Sequence, residues 1–272
     1  MSSRPSRGGS AHQPKSRPVR RTVAQRARAT LARVAFPSGM RVNGIELSPH
    51  MTREERRALE FWIRRLPAGF AARLPRLKLA VADQLGSARA SVFINEVSPE
   101  NNSSHPNHLH AASFIRQRYV VLRRELFRRR VELGRILYHE LGHFLWPRLG
   151  NPLRQSYDAL LRQEFRDGTR GELGYSAELR KGKLRERIGS GKANPSRDRK
   201  RAVREGSRRP VSLWREYVCE SFCDTAAYVL LGLERRVKHS EYTLSRAARA
   251  CRCRWVAEVC DLPPRVLPAT PS

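Results

Sequence analysis

The sequence has few cysteines and no long apolar run, and each absence excludes a class of protein. Its 272 residues include 5 cysteines, all in the last quarter, and an odd, clustered set does not suit the disulfide framework of a small secreted protein. No stretch approaches the ~20 apolar residues that cross a bilayer, and the N-terminus has no apolar core of a secretory signal. We therefore expect a cytoplasmic protein with no membrane span.

Acidic residues are also scarce. The chain has 25 Asp and Glu against 54 Lys and Arg, which gives a formal net charge of +29. A charge of this size attracts nucleic acid and acidic proteins non-specifically. The aromatic-interleaved motifs of RNA-binding folds are missing, so a nucleic-acid-binding protein that uses its Arg-rich segments stays an alternative function, ranked below an enzyme.

Composition divides the chain into a basic arm, one folded domain and a short tail. Residues 1–45 contain ten Lys or Arg and no acid, so they cannot bury enough apolar surface to fold and are predicted to be a disordered arm. The domain is expected over residues 46–262, followed by a Pro-rich, flexible tail at 263–272. Within the domain, the glycine-rich, basic segment 166–209 is predicted to be a mobile lid or an insertion without regular structure.

Hydrophobic periodicity predicts an α+β domain with a few-stranded sheet. Thr52 and Glu55 form a capping-box pattern, which indicates a helix that begins at residue 53. The predicted strands cover residues 77–81, 90–97 and 114–122, and the predicted helices cover 53–66, 123–146, 157–165, 212–231 and 240–259.

The predicted helix 123–146 carries the pattern H-E-x-x-H, at His139, Glu140 and His143. Four residues of spacing place both imidazoles on one helix face about one turn apart, so two neutral ring nitrogens can bind one Zn²⁺. Glu140 would lie beside the metal, where it can accept a proton from an activated water. Glu140 is the only charged residue between Ile136 and Trp146, which indicates a buried helix.

Catalytic zinc needs a third protein ligand. A ligand set of the H-E-x-x-H-x-x-G-x-x-H type is excluded, because the required glycine and histidine positions are Trp146 and Leu149. The predicted helix 212–231 offers Glu220 and Asp224 one turn apart: Glu220 would bind the metal, and Asp224 would accept the second N–H of a ligating imidazole. Glu216 has the same spacing to Glu220 and is the rival third ligand.

The two motifs together, H-E-L-G-H and the later E-S-F-C-D, resemble the gluzincin branch of the zincin metallopeptidases, typified by thermolysin. The resemblance implies a zincin-like fold, in which a small sheet packs on the active-site helix and a C-terminal helix carries the glutamate. It implies a zinc-dependent hydrolase of peptide bonds, with His139, His143 and Glu220 as ligands, Glu140 as general base and Asp224 orienting a ligand. A catalytically inactive, zinc-stabilised scaffold is the other alternative.

Three further expectations concern the surroundings of this site. Peptide hydrolysis needs a donor for the developing oxyanion, and His239, Tyr242 and Tyr175 are candidates among which the sequence does not choose. An extended peptide substrate could pair with the edge of the strand that precedes the active-site helix. Cys219 and Cys223 are one helical turn apart and could form a thiolate zinc site, although small buried thiols are the favoured interpretation.

Overall fold

The protein has an α+β fold, as the sequence predicts. The computed structural model describes residues 40–88, 91–94, 107–189, 213–232 and 239–262. The strands are β1 Arg41–Val42, β2 Ile45–Leu47, β3 Leu77–Ala82, β4 Leu85–Ala88, β5 Ser91–Ile94, β6 Asn107–His108, β7 Ala111–Phe114 and β8 Tyr119–Arg123. The α-helices are α1 Arg53–Ile63, α2 Ala68–Arg73, α3 Arg130–Leu145, α4 Asn151–Arg166, α5 Tyr175–Gly189, α6 Leu213–Gly232 and α7 Arg246–Val259.

The main sheet is mixed and has the strand order β1-β2-β3-β8-β7. β2, β3 and β8 are parallel, whereas β1 and β7 run antiparallel to their neighbours at the two edges. A second sheet of three antiparallel strands has the order β5-β4-β6. β7 forms one edge of the main sheet, next to β8. It also packs against α3, the helix of the H-E-x-x-H motif.

The first helix begins where the sequence predicts. The Thr52 hydroxyl accepts a hydrogen bond from the Glu55 amide, and the Glu55 carboxylate accepts one from the Thr52 amide, so both halves of the capping box are formed. The buried face of α1 carries Leu59, Trp62 and Ile63. The helix ends at Ile63 and not at residue 66, and Pro67 caps the short α2 that follows.

Helices α3 and α6 form the centre of the domain and pack directly against each other. Glycine makes this approach close: a methyl group at Gly142 of α3 would lie 3.1 Å from the Cα atom of Cys223 in α6. Both helices are buried over most of their length, which explains why α6 has apolar residues on all sides and no single apolar stripe.

A buried ionic cluster joins the four helices α4, α5, α6 and α7. Arg252 of α7 contacts Glu164 of α4 at 3.0 Å and Glu172 at 2.5 Å. Lys181 of α5 contacts Glu172 at 2.8 Å, and the Tyr217 hydroxyl of α6 donates to Glu172 at 2.7 Å. The charges are balanced, two cations against two carboxylates, as burial of charge requires.

Several predicted boundaries are wrong. The predicted strand 114–122 is two strands, because Ile115–Gln117 forms a 3-10 turn and Arg118 adopts a left-handed conformation with φ 54°. The predicted start of the motif helix at residue 123 is too early, since Arg124–Arg128 is a separate 3-10 turn. The last helix begins at Arg246, behind the N-cap Ser245.

The segment predicted as an irregular lid or insertion contains a regular helix. Helix α5 covers Tyr175–Gly189 and packs on α6, so the prediction for 166–209 is wrong in its first half, while 190–209 lies outside the described residues. The predicted disordered arm also extends too far, because strand β1 and the start of β2 fall before residue 46. Residues 1–39 and the predicted tail 263–272 lie outside the described part. None of the described helices is long and apolar enough to cross a membrane.

Candidate metal centre

The H-E-x-x-H residues lie in the C-terminal half of α3. His139 and Glu140 are 7% and 8% exposed, and His143 is half-buried. The two imidazole rings are 5.0 Å apart between centroids, as the spacing of one helical turn predicts. The helix ends at Leu145, and Trp146–Arg148 forms a short 3-10 turn.

Helix α6 brings Glu220 to these two rings. Its Oε2 atom lies 3.3 Å from Nε2 of His139 and 3.8 Å from Nε2 of His143, and the three ligand atoms all lie within 4.8 Å of one another. Tetrahedral zinc ligands with bonds of ~2.0–2.1 Å lie about 3.3 Å from each other. The two imidazoles and the carboxylate therefore fit a zinc ion, with one coordination position left over.

Asp224 lies behind His139. Its Oδ1 atom is 2.7 Å from Nδ1 of His139. In this arrangement the carboxylate can accept a hydrogen bond from Nδ1–H, which leaves the lone pair of Nε2 free to bind a metal ion. Burial alone lowers the pKa of His139, but the charge and hydrogen bond of Asp224, together with Glu220, raise it well above its ordinary value.

Helix α5 supports Asp224 from the other side. The Ala177 amide donates to Oδ2 of Asp224 at 3.2 Å. Gly174, one residue before the helix, leaves the space for this carboxylate, because a methyl group at that position would overlap it. Asp224 is 4% exposed, so its orientation is fixed by neighbours on two helices.

Arg180 of α5 distinguishes the two candidate glutamates. Its guanidinium donates to Oε1 of Glu220 at 3.0 Å, while the side chain of Glu216 is 44% exposed and meets Arg180 only at 3.8 Å. Burial raises the pKa of Glu220, but the hydrogen bond from His139 and the charges of His143, His139 and Arg180 lower it to about 2. Glu220 is thus the glutamate at the imidazole pair, and Glu216 lies outside it.

Ser113 of β7 holds the carboxylate of Glu140. Its hydroxyl donates to Oε2 of Glu140. The Oγ atom of Ser113 also lies 3.3 Å from the backbone carbonyl oxygen of Glu140. Sequence reasoning missed both Ser113 and Arg180. Ser113 lies one residue before the predicted strand 114–122, so the sequence carried no direct signal for it, and Arg180 lay in a segment predicted to be irregular.

The three oxyanion candidates are not placed alike. His239 contacts Glu132 at 3.3 Å, about two helical turns before His139, and Tyr175 is 66% exposed. The Tyr242 ring packs against Tyr228 of α6, and its buried hydroxyl makes no hydrogen bond to any described residue. Burial raises the pKa of Tyr242, and Tyr242 is the one of the three that has a buried polar atom without a hydrogen-bond partner among the described residues.

Nε2 of His143 faces Glu220, and two thiols lie near the ring on its Nδ1 side. Sγ of Cys219 lies 3.7 Å from Nδ1 of His143, and Cys223 lies one turn further along α6. A hydrogen bond from Cys223, together with the neighbouring His143, lowers the pKa of Cys219 to about 6 despite its burial.

The candidate site thus consists of two imidazoles and one carboxylate that lie close together, an aspartate hydrogen-bonded to one imidazole, and a glutamate hydrogen-bonded to a serine. No protein-family model, characterised protein or solved structure matches this chain.

Proposed function

We propose that the protein is a zinc-dependent metallopeptidase. His139, His143 and Glu220 would hold one Zn²⁺, and Glu140 would act as general base. The observation that carries this proposal is the convergence of the three ligand atoms within 4.8 Å of one another, from helices that are far apart in the sequence.

The charge balance of the site supports a divalent cation. Three carboxylates surround His139, those of Asp224, Glu220 and Glu140, and Arg180 is the only guanidinium paired with one of them among the described residues. When both imidazoles are neutral, as metal ligands must be, this leaves two negative charges in a buried site, which is costly unless a cation compensates them. Two imidazoles in the ligand set favour zinc over magnesium or calcium.

The bound zinc ion would polarise the scissile carbonyl and lower the pKa of a water toward ~7. Glu140 would take the proton of the attacking water and pass it to the leaving amine. Ser113 keeps the Glu140 carboxylate in position by donating to one of its oxygens. Asp224 keeps the His139 ring in the tautomer that binds metal, and Tyr242 offers a neutral hydroxyl as a donor for the developing oxyanion.

The edge of β7 is the proposed binding place for an extended peptide. β7 pairs with β8 on one side only, and no described strand pairs with its other side. Ser113 lies in this strand and contacts Glu140, so a peptide added along the free edge would pass next to the general base. Strand addition of this kind supplies backbone hydrogen bonds whatever the side chains.

The net charge and the cysteines support two further proposals, a binding role and a location. The net charge of +29 supports non-specific binding of nucleic acid or acidic proteins, through basic segments that lie largely outside the described residues. All five cysteines are free thiols, which fits the reducing cytoplasm that we propose as the location.

The experiment that tests the proposal is metal analysis of the purified chain after incubation with zinc and removal of the excess. We expect one zinc per chain in the wild type and in His50→Ala, which changes an exposed histidine remote in sequence from the motif. His143→Ala should lose the ion, and hydrolysis of an unstructured protein such as casein should stop with a chelator and return with zinc. A wild type that stays metal-free under these conditions would refute the proposal.

A further inference from the structure

The thiols of Cys219 and Cys223 form a second group of possible ligands with His143. Cys219 lies 3.7 Å from Nδ1 of the ring, and one atom of each of the three residues lies within 4.8 Å of the others. This group uses two consecutive turns of α6, the same spacing by which His139 and His143 share a face of α3. The proposed hydrolysis uses neither thiol.

The packing of the two helices leaves room for these thiols. Cys223 is fully buried, and its Sγ atom would lie 3.2 Å from a methyl group placed on Gly142. The missing side chain of Gly142 therefore lets the sulfur lie against α3 beside His143. Cys219 is half-buried, which leaves an approach from solvent.

We propose that Cys219, Cys223 and Nδ1 of His143 bind a thiophilic d10 cation, such as Cd²⁺ or Cu⁺. Two thiolates and one imidazole are the ligand types that such cations prefer. Each thiol releases its proton to water as its sulfur–metal bond forms. Among the described residues, only one other group has ligand atoms this close, and it is the proposed zinc site.

The two sites compete, because they share His143. A neutral imidazole has one nitrogen with a free lone pair and one that carries a proton. Binding at Nδ1 therefore puts the proton on Nε2, the nitrogen that faces Glu220. A cation held by the thiols would remove one ligand from the hydrolytic site, so we infer that it inhibits the enzyme. This inhibition rests on the proposed peptidase activity, whereas the binding does not.

The binding test is a titration of the metal-free, full-length chain with Cd²⁺. The buffer contains a phosphine reductant, because a thiol reductant would itself bind the cadmium. Cadmium–thiolate bonds give an ultraviolet charge-transfer band, which histidine and carboxylate ligands do not give. We expect this band to reach saturation at one Cd²⁺ per chain in the wild type. Cys251→Ser, which changes an exposed cysteine of α7, should behave in the same way.

Variants then identify the ligands. Cys219→Ser and Cys223→Ser should each weaken cadmium binding at least tenfold and reduce the band, and Cys219 is only half-buried, so its serine variant should fold even if the other does not. His143→Ala should weaken binding, whereas His139→Ala, which changes only the hydrolytic site, should keep the band. A wild type without the band, or equal binding by Cys219→Ser, would overturn the site.

The competition test uses the zinc-loaded chain and casein hydrolysis. Cadmium should inhibit the wild type and Cys251→Ser, and at least tenfold more should be needed for Cys219→Ser. A band that forms without any loss of hydrolysis would overturn the competition. If the zinc-loaded wild type hydrolyses nothing, the proposed peptidase activity fails, and the cadmium titration still decides whether the thiol site exists.

Discussion

The carboxylate of Glu140 is buried, accepts a hydrogen bond from Ser113 and does not belong to the group of ligand atoms formed by His139, His143 and Glu220. In the proposed function, proton transfer and metal binding therefore use different residues. His139, His143 and Glu220 supply the atoms that converge on one point, so a change at Glu140 should affect chemistry and leave metal content intact.

Replacing Glu140 with glutamine tests this separation. The amide has the same shape but cannot accept the proton, and positioned general bases contribute about 10²–10⁴-fold to a rate. We expect Glu140→Gln to bind one zinc and to lose at least two orders of magnitude in kcat, measured by metal analysis and casein hydrolysis. Full activity in this variant would rule out Glu140 as the base.

The choice between the two glutamates is testable in the same way. Glu220 lies 3.3 Å from His139, whereas Glu216 is 44% exposed and meets only Arg180. We expect Glu220→Gln to lose zinc at micromolar free metal and Glu216→Gln to keep it, as measured by metal analysis after equilibrium dialysis. The opposite result would assign the third ligand to Glu216.

Helix α5 supplies what the central helices lack. Asp224 needs a second partner to hold its orientation, and the Ala177 amide provides it. Oε2 of Glu220 faces the imidazoles, and its other oxygen, Oε1, accepts a hydrogen bond from Arg180. The helix thus fixes the orientation of two side chains on α6, although it contributes no ligand.

Two glycines of this region should respond in opposite directions to alanine. At Gly174 a methyl group would overlap the Asp224 carboxylate, while at Gly182, within α5, it would meet nothing within 4 Å. We expect Gly174→Ala to weaken zinc binding about 10–100-fold, as loss of orienting partners does, and to lower stability by about 1–3 kcal/mol. Gly182→Ala should keep zinc affinity and raise stability by up to about 1 kcal/mol.

These two variants are compared by zinc titration and by urea unfolding of the metal-free chains. Equal zinc affinity in Gly174→Ala and the wild type would show that Asp224 does not depend on the close approach of α5.

At the scale of the whole domain, the ionic cluster of Arg252, Glu164, Glu172 and Lys181 joins α4, α5 and α7 around α6. Burial raises the pKa of Glu172, but Arg252 and Lys181 outweigh it and lower the pKa below its ordinary value. A carboxylate with a depressed folded-state pKa stabilises the fold above its unfolded pKa. That contribution is lost as the pH falls through the folded-state value.

Stability should therefore decrease in acid partly through Glu172. We expect the free energy of unfolding of the metal-free chain, measured in urea, to fall as the pH decreases below ~4.5. Glu172→Gln leaves Arg252 and Lys181 buried with only one carboxylate, so it should lower the free energy of unfolding by about 3–5 kcal/mol at pH 7. The difference from the wild type should become smaller in acid. Glu186→Gln, at an exposed position of α5, should follow the wild type, and a pH-independent loss in Glu172→Gln would contradict the assignment.

The failure to predict α5 has a physical cause in this cluster. Its residue pattern contains many charges and little apolar periodicity, which resembles a solvated segment. Yet Lys181 is fully buried, because Glu172 and the Gly171 carbonyl compensate its charge. Compensation of this kind depends on partners from elsewhere in the fold, and no local pattern reveals it.

The sequence alone determined the features that depend on neighbours along the chain. The capping box at Thr52, the shared helix face of His139 and His143, and the α+β class follow from spacing and periodicity, which are local properties. Only the tertiary structure decided that Glu220 and not Glu216 lies at the imidazoles, that Ser113 holds Glu140, and that α5 supports the site. These contacts join residues that are far apart in the chain, so packing of the helices and burial of their charges select them.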